Sequence, residues 1–207
     1  MYIIYEDFTQ TLANPRLSWF HPPLDWGIAG GSLVIRPEAG TDFWQRTYYH
    51  FQRDTGHFLY AEVCGNFTMT TKVRSFPVHR YDQAGLMVRF SADCWLKTSV
   101  EYEQDGSKLG VVVTNQGYSD WSTQHYLTGI TELYFRVRRL SGDYIVEYAE
   151  PCKEAIVHPS ALTWNQIRIA RLLEDNNCTP AMSGLYACSP QGKGFQAEFD
   201  YLVIQQD

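Results

Sequence analysis

Glu101 and Glu103 stand two residues apart in the run WLKTSVEYE, from Trp95 to Glu103. Side chains of an extended strand alternate between its two faces. One face of this run therefore carries Leu96, Thr98, Val100 and Tyr102, and the other Trp95, Lys97, Ser99, Glu101 and Glu103. The first set reads as core. The second is costly to bury unless its charges are paired, and it suits the grip of a polar ligand. The Cα atoms of the two glutamates would lie about 6.5–7 Å apart. Their carboxyls could then reach the ~5–5.5 Å of a retaining glycosidase or the wider inverting spacing. A solvated strand face beside the turn Asp105-Gly106 is the favoured account of Glu103, which is nearer that turn, and an equal alternative for Glu101. Lys97 or an arginine near Glu101 would depress its pKa and leave it a poor general acid.

Arg89, Arg136 and Arg138 each fall on the polar face of a strand-like run. If those faces share one sheet, they join Lys97 in a basic patch opposite the glutamates, able to fork onto carboxylates or phosphates. An internal ladder of cross-strand salt bridges is the alternative. Thr41-Asp42-Phe43-Trp44 and Ser119-Asp120-Trp121-Ser122 each set an Asp beside a Trp in a turn-like context. Exposed Trp around a polar sheet suits a carbohydrate or other small polar ligand, and a core plug is the competing role. Nucleophilic catalysis has little support: there is no GxSxG elbow, and Cys64 and Cys94 have no basic activator nearby in sequence. The six histidines are scattered without a metal-binding spacing, and no glycine-rich phosphate loop is present, so no metal or cofactor is expected.

The elements that must position these residues are strands. Phe67, Met69, Thr71 and Val73 alternate with Thr68, Thr70, Lys72 and Arg74; Leu86, Val88 and Phe90 with Met87 and Arg89; Leu133, Phe135 and Val137 with Tyr134, Arg136 and Arg138; and Phe195, Ala197, Phe199 and Tyr201 with Gln196, Glu198, Asp200 and Leu202. Asp105-Gly106 and Gly142-Asp143 separate pairs of such runs as hairpin turns do. No window makes an amphipathic helix of ten residues; Thr41–Phe51 and Lys153–His158 are the best candidates for a helical turn or two. The pattern predicts an all-β sandwich of two antiparallel sheets, with residues 1–207 as one domain.

Composition narrows the function classes. The chain has 207 residues, 44% of them hydrophobic, which is ample for a core and argues against disorder. Its 17 basic and 23 acidic residues give a net charge of −6, without the basic run of a nucleic-acid binder. No apolar window approaches a membrane span. The start, MYIIYEDFTQTL, lacks the basic opening of a signal peptide and reads as an edge strand. Five widely spaced cysteines then read as reduced thiols in the cytoplasm.

The blocks TDFWQRTYYHFQRDTGHFLY, YDQAGLMVRFSADCWLKTSVEY, VVVTNQGYSDWS and RVRRLSGDYIVEY resemble the regulation-of-enolase protein family, a domain-of-unknown-function group. The resemblance runs from about Trp19 to Ile204. It implies the concanavalin A-like lectin/glucanase jelly roll, with a concave ligand-facing sheet. Laminarinase-type relatives in that superfamily carry Glu-x-Asp-x-Glu on one strand face. This chain has Glu101-Tyr102-Glu103-Gln104-Asp105 instead, which weakens a glucanase assignment. The expectation is a binder of a saccharide, sugar phosphate or similar polar ligand rather than an enzyme. Its ligand-binding set is Trp44, Gln83, Arg89, Trp95, Lys97, Glu101, Asp120, Trp121, Arg136 and Arg138. The alternatives are a glycoside hydrolase using Glu101 and Glu103, or a protein that regulates a metabolic enzyme such as enolase by contact.

Overall fold

A computed structural model describes residues 1–10, 14–126, 132–152 and 161–207. The strands are β1 (Tyr2–Glu6), β2 (Ser18–Phe20), β3 (Asp25–Ala29), β4 (Ser32–Arg36), β5 (Phe43–Gln45) and β6 (Gln52–Asp54). There follow β7 (His57–Val63), β8 (Phe67–Phe76), β9 (Gln83–Ser91), β10 (Cys94–Glu101), β11 (Ser107–Asn115) and β12 (Tyr118–Tyr126). The last are β13 (Glu132–Leu140), β14 (Asp143–Ala149), β15 (Asn165–Arg171), β16 (Ala181–Cys188) and β17 (Gln196–Gln206). No α-helix occurs among the described residues. The candidate helix Lys153–His158 lies outside them.

One sheet runs β15-β14-β13-β8-β17-β4-β3, with β1 added along β17. The second runs β12-β11-β10-β9-β16-β7-β2. Every pairing within them is antiparallel. The chain is thus the all-β jelly-roll sandwich expected from its alternating pattern. Leu86, Val88, Leu96, Val111 and Leu185 of the second sheet meet Phe67, Met69, Phe135, Val137 and Phe199 of the first in one buried core. The turn between β13 and β14 is Ser141-Gly142, one residue earlier than the sequence suggested. Both residues have left-handed φ, +52° and +85°, as the tight twist of a two-residue hairpin requires.

A second apolar cluster covers the outer face of the second sheet. Phe58, Met87, Trp95, Val112 and Tyr186 project outward and are capped by Phe43 and Trp44. The cap is the β5–β6 hairpin. The helical turn expected over Thr41–Phe51 does not form. Arg46, Tyr48 and His50 all have positive φ, 54°, 60° and 59°, which a right-handed helix forbids.

Close approach fixes glycines on this sheet, Gly85 and Gly184 most tightly. A Cβ on Gly184 would lie 2.0 Å from the Leu59 carbonyl oxygen of the neighbouring strand. Gly184→Ala is therefore expected to cost about 1–3 kcal/mol, measured by urea unfolding. A change under a few tenths would show that the strands spread freely at this point.

Candidate functional site

The register of the second sheet decides which residues share its outer face. Lys97 on β10 lies opposite Met87 on β9 and Val112 on β11, and Val112 lies opposite Trp121 on β12. Glu101 lies opposite Gln83 and Lys108. Between these two rows run Tyr186, Gly85, Ser99 and Gly110, where three neighbouring positions carry no side chain larger than a hydroxymethyl. Tall rows flank a low one, so the sheet itself forms a depression.

The hairpin cap stops short of this end of the sheet. A cavity of about 310 Å³ remains, walled by Trp44, Tyr49, Phe51, Tyr81 and Trp121, with Asp42, Lys97 and Glu101 at its polar centre. The loop between β5 and β6 presents Tyr49, whose ring meets those of Trp44 and Phe51 at 5.4 and 6.1 Å. Tyr81 meets Trp121 edge-on at 6.2 Å.

Lys97 is almost wholly buried, and its Nζ donates to Asp42 Oδ1 at 3.2 Å. Burial alone would lower its pKa, but the Asp42 and Glu101 carboxylates outweigh burial and hold it above the ordinary value. Lys97 therefore stays charged. Glu101 is 7% exposed. Burial pushes its carboxyl up to about 7, with Lys97 opposing the shift and Asp42 and Glu103 adding to it. The sequence suggested that Lys97 would hold Glu101 ionised; desolvation is the larger effect. Gln83 is fully engaged, accepting from the Tyr186 hydroxyl at 3.1 Å and donating to the Tyr81 carbonyl at 3.2 Å. Burial and a hydrogen bond with Tyr49 push the Tyr81 phenol up to about 12.

Of the residues expected to bind a ligand, Trp44, Gln83, Lys97, Glu101 and Trp121 line one cavity. The other candidates lie elsewhere. Trp95 has the right parity but 0% exposure, because the hairpin cap lies over that end of the sheet. Its indole donates to the Ala92 carbonyl at 3.0 Å. Arg89 shares the face but is sealed under the cap, paired to Asp54 at 2.6 Å and stacked on Phe20 at 4.5 Å. Asp120 has the opposite parity to Trp121 and pairs with Arg168 at 2.9 Å. Arg136 and Arg138 belong to β13 in the other sheet, where both bind Glu147. They form the salt-bridge ladder, not a patch with Lys97.

Glu103 lies beyond the end of β10 and does not line Glu101's cavity. Its carboxylate takes a two-pronged contact from Arg80, 3.1 Å from Nε and 2.8 Å from Nη2. It lines a neighbouring recess with Tyr102 and Asp105. Glu101 and Glu103 therefore do not form a carboxylate pair in one cavity. The acid that does share Glu101's cavity is Asp42, which pairs with Lys97 from 55 residues away in sequence. Sequence reasoning noticed Asp42 only as a turn neighbour of Trp44. It missed Arg53 on the three-residue strand β6, and Tyr49, Phe51, Arg80, Tyr81 and Gln191, which come from loops with no periodic signal.

Comparison with known proteins agrees with this fold. The chain is 32% identical over 189 residues to Regulation of enolase protein 1 from Saccharomyces cerevisiae, across 90% of this chain and 89% of that protein. It matches the crystal structure of a functionally unknown protein from Saccharomyces cerevisiae with a TM-score of 0.81 and 30% identity, over 93% of this chain and 97% of that one. It also matches part of xylan beta-1,4-xylosidase from Bacillus halodurans C-125, with a TM-score of 0.75. That likeness, at 16% identity over 98% of this chain and 39% of the enzyme, concerns the fold alone. The family model described as Protein of unknown function (DUF1349) covers residues 19–207, and the chain belongs to that family.

Proposed function

We propose that this protein binds a small polyhydroxylated ligand, a saccharide or sugar derivative, in the cavity on the outer face of the second sheet, without breaking a bond. One observation carries the reading: aromatic faces and buried charges enclose a single open space of about 310 Å³. Such a space has the size and make-up of a small-molecule site, mostly apolar walls with a few convergent polar groups. Tyr49 and Phe51 offer flat surfaces to a sugar ring, and Lys97 and Glu101 offer hydrogen bonds to its oxygens. A hydrolase reading has lost its expected partner acid, since Glu103 serves Arg80. The cytoplasm is the proposed location.

A thermal-shift screen of saccharides and sugar phosphates, followed by calorimetry, tests the proposal. Tyr49→Ala is expected to weaken any ligand found by about tenfold, or 1.4 kcal/mol. Equal affinity in that variant, or no ligand across the screen, argues against it.

The yeast relative's name supports a second reading, contact with enolase. Sedimentation of the protein mixed with enolase tests it. An Arg136/Arg138 charge reversal then reports whether the face of the first sheet is used, because both arginines lie far from the cavity lining.

A further inference from the structure

The hydrogen-bonding groups of the cavity are not balanced. Trp121 Nε1–H is buried and has no partner. Lys97 carries three N–H donors, and among the described residues only Asp42 accepts from it. Arg53 at the rim donates to the Gly40 carbonyl at 2.6 Å and packs over Phe51, with no carboxylate partner among the described residues. Glu101 is more than nine-tenths buried, lines the same space, and makes no hydrogen bond within the described protein. Gln83 offers the ligand little, because both ends of its amide are occupied. With Glu101 protonated, the cavity therefore holds more unpaired donors than acceptors, the acceptors being Asp42 Oδ2 and the other Glu101 oxygen. A neutral sugar hydroxyl brings a donor with every acceptor. A carboxylate or phosphoryl group brings acceptors only, and charge-assisted bonds to it are the stronger kind.

Building on the binding reading above, we propose that the ligand is an acidic saccharide-sized molecule, its anionic oxygens set among Trp121 Nε1–H, the Glu101 carboxyl as O–H donor, and Lys97. The aromatic walls take the ring and the donor cluster takes the anion. For Glu101 to donate it must be protonated, so binding is coupled to pH. The charges that face Glu101 come from several elements. Lys97 shares its strand, Asp42 precedes β5, and Glu103 follows β10. Tyr186 and Cys188 on β16 interact with it electrostatically. Lys108 and His125 occupy its row on β11 and β12. Desolvation favours the neutral acid, as do Asp42 and Glu103, whereas Lys97 favours ionisation. Burial of Glu101 gives the neutral form the advantage at the acid side of neutrality.

Calorimetry with D-glucose, D-glucuronate and D-glucose 6-phosphate at pH 6 and pH 8.5 tests this on the intact chain. One of the two acids is expected to bind at least tenfold tighter than glucose at pH 6. Glucuronate identifies a carboxylate source, and glucose 6-phosphate a phosphoryl one. The preference should fall several-fold at pH 8.5. Trp121→Phe should reduce it, and Glu101→Gln, which cannot ionise, should remove its dependence on pH for glucuronate and leave for glucose 6-phosphate only the titration of the phosphate itself. Glucose binding as tightly as both acids would overturn the inference and leave the saccharide reading standing. An unchanged pH dependence in a folded Glu101→Gln protein would overturn it as well. Failure of all three sugars to bind would overturn the saccharide reading and the inference together.

Discussion

Asp175→Asn is expected to cost about 3–5 kcal/mol of stability, because it strands a buried guanidinium. Arg139 and Asp175 are both wholly enclosed. Arg139 donates through Nε to Asp175 Oδ2 at 2.8 Å, and also to the carbonyls of Val63, Gly65 and Thr179. Tyr144 donates its hydroxyl to Asp175, and the Asn177 amide does so at 2.7 Å. The network ties β13 and β14 to the loop before β16 and to the end of β7. Burial raises the Asp175 carboxyl, but hydrogen bonds from Arg139 and Tyr144 outweigh it and hold the pKa below the ordinary value. An acid depressed in the folded state stabilises fully above its unfolded pKa and loses that contribution as pH falls through the folded one. The penalty of Asp175→Asn should therefore be full at neutral pH and shrink in strong acid. Urea unfolding at several pH values measures it. A cost under about 1 kcal/mol at pH 7 would mean that the network is no stronger than a surface pair.

Glu101→Gln is expected to act in the opposite direction. Its carboxyl is raised from 4.5 to about 7 in the folded protein. The folded state thus holds this proton more tightly than the unfolded chain. Stability falls as pH rises through the window from 4.5 to about 7, and the penalty is complete above it. At about 1.4 kcal/mol per pKa unit, the penalty at pH 8 is roughly 3.5 kcal/mol at most. Gln keeps the shape and the donor but cannot ionise, so the variant should gain most of that stability at pH 8 and little at pH 4.5. Paired unfolding curves at those two pH values check the sign. A variant less stable than the parent at pH 8 would mean that ionised Glu101 is a net stabiliser through Lys97. A residue that costs stability in the resting protein while lining a cavity fits a role in binding.

Strand parity was legible in the sequence to single residues. Leu96 faces the core, and Lys97 and Glu101 face the cavity, as period-two alternation requires. Arg139 also follows this rule: with Val137 inward, position 139 must point inward too, and it does. A charge at a core-parity position was the readable sign of the buried network. Parity does not say which sheet a strand joins. Arg136 and Arg138 have polar-face parity, yet β13 pairs with β8 and β14 rather than with β10. Nor does parity say what lies over a face. Trp95 and Lys97 point the same way, but the β5–β6 hairpin closes one end of the sheet and leaves the other open. Asp42 reaches Lys97 through a contact spanning 55 residues, and no local pattern encodes that.

The central claim is that the open end of this sheet receives a small ligand. The indole N–H resonances of the six tryptophans offer a direct readout during titration with glucuronate and with glucose 6-phosphate. The expected result is a saturable shift of the Trp121 signal, with a smaller one at Trp44, whose indole donates to the Thr47 carbonyl at the cavity wall. Trp95, sealed under the hairpin, should stay in place. A Trp121 signal that does not move at saturating sugar, or equal shifts at all six indoles, would contradict the claim.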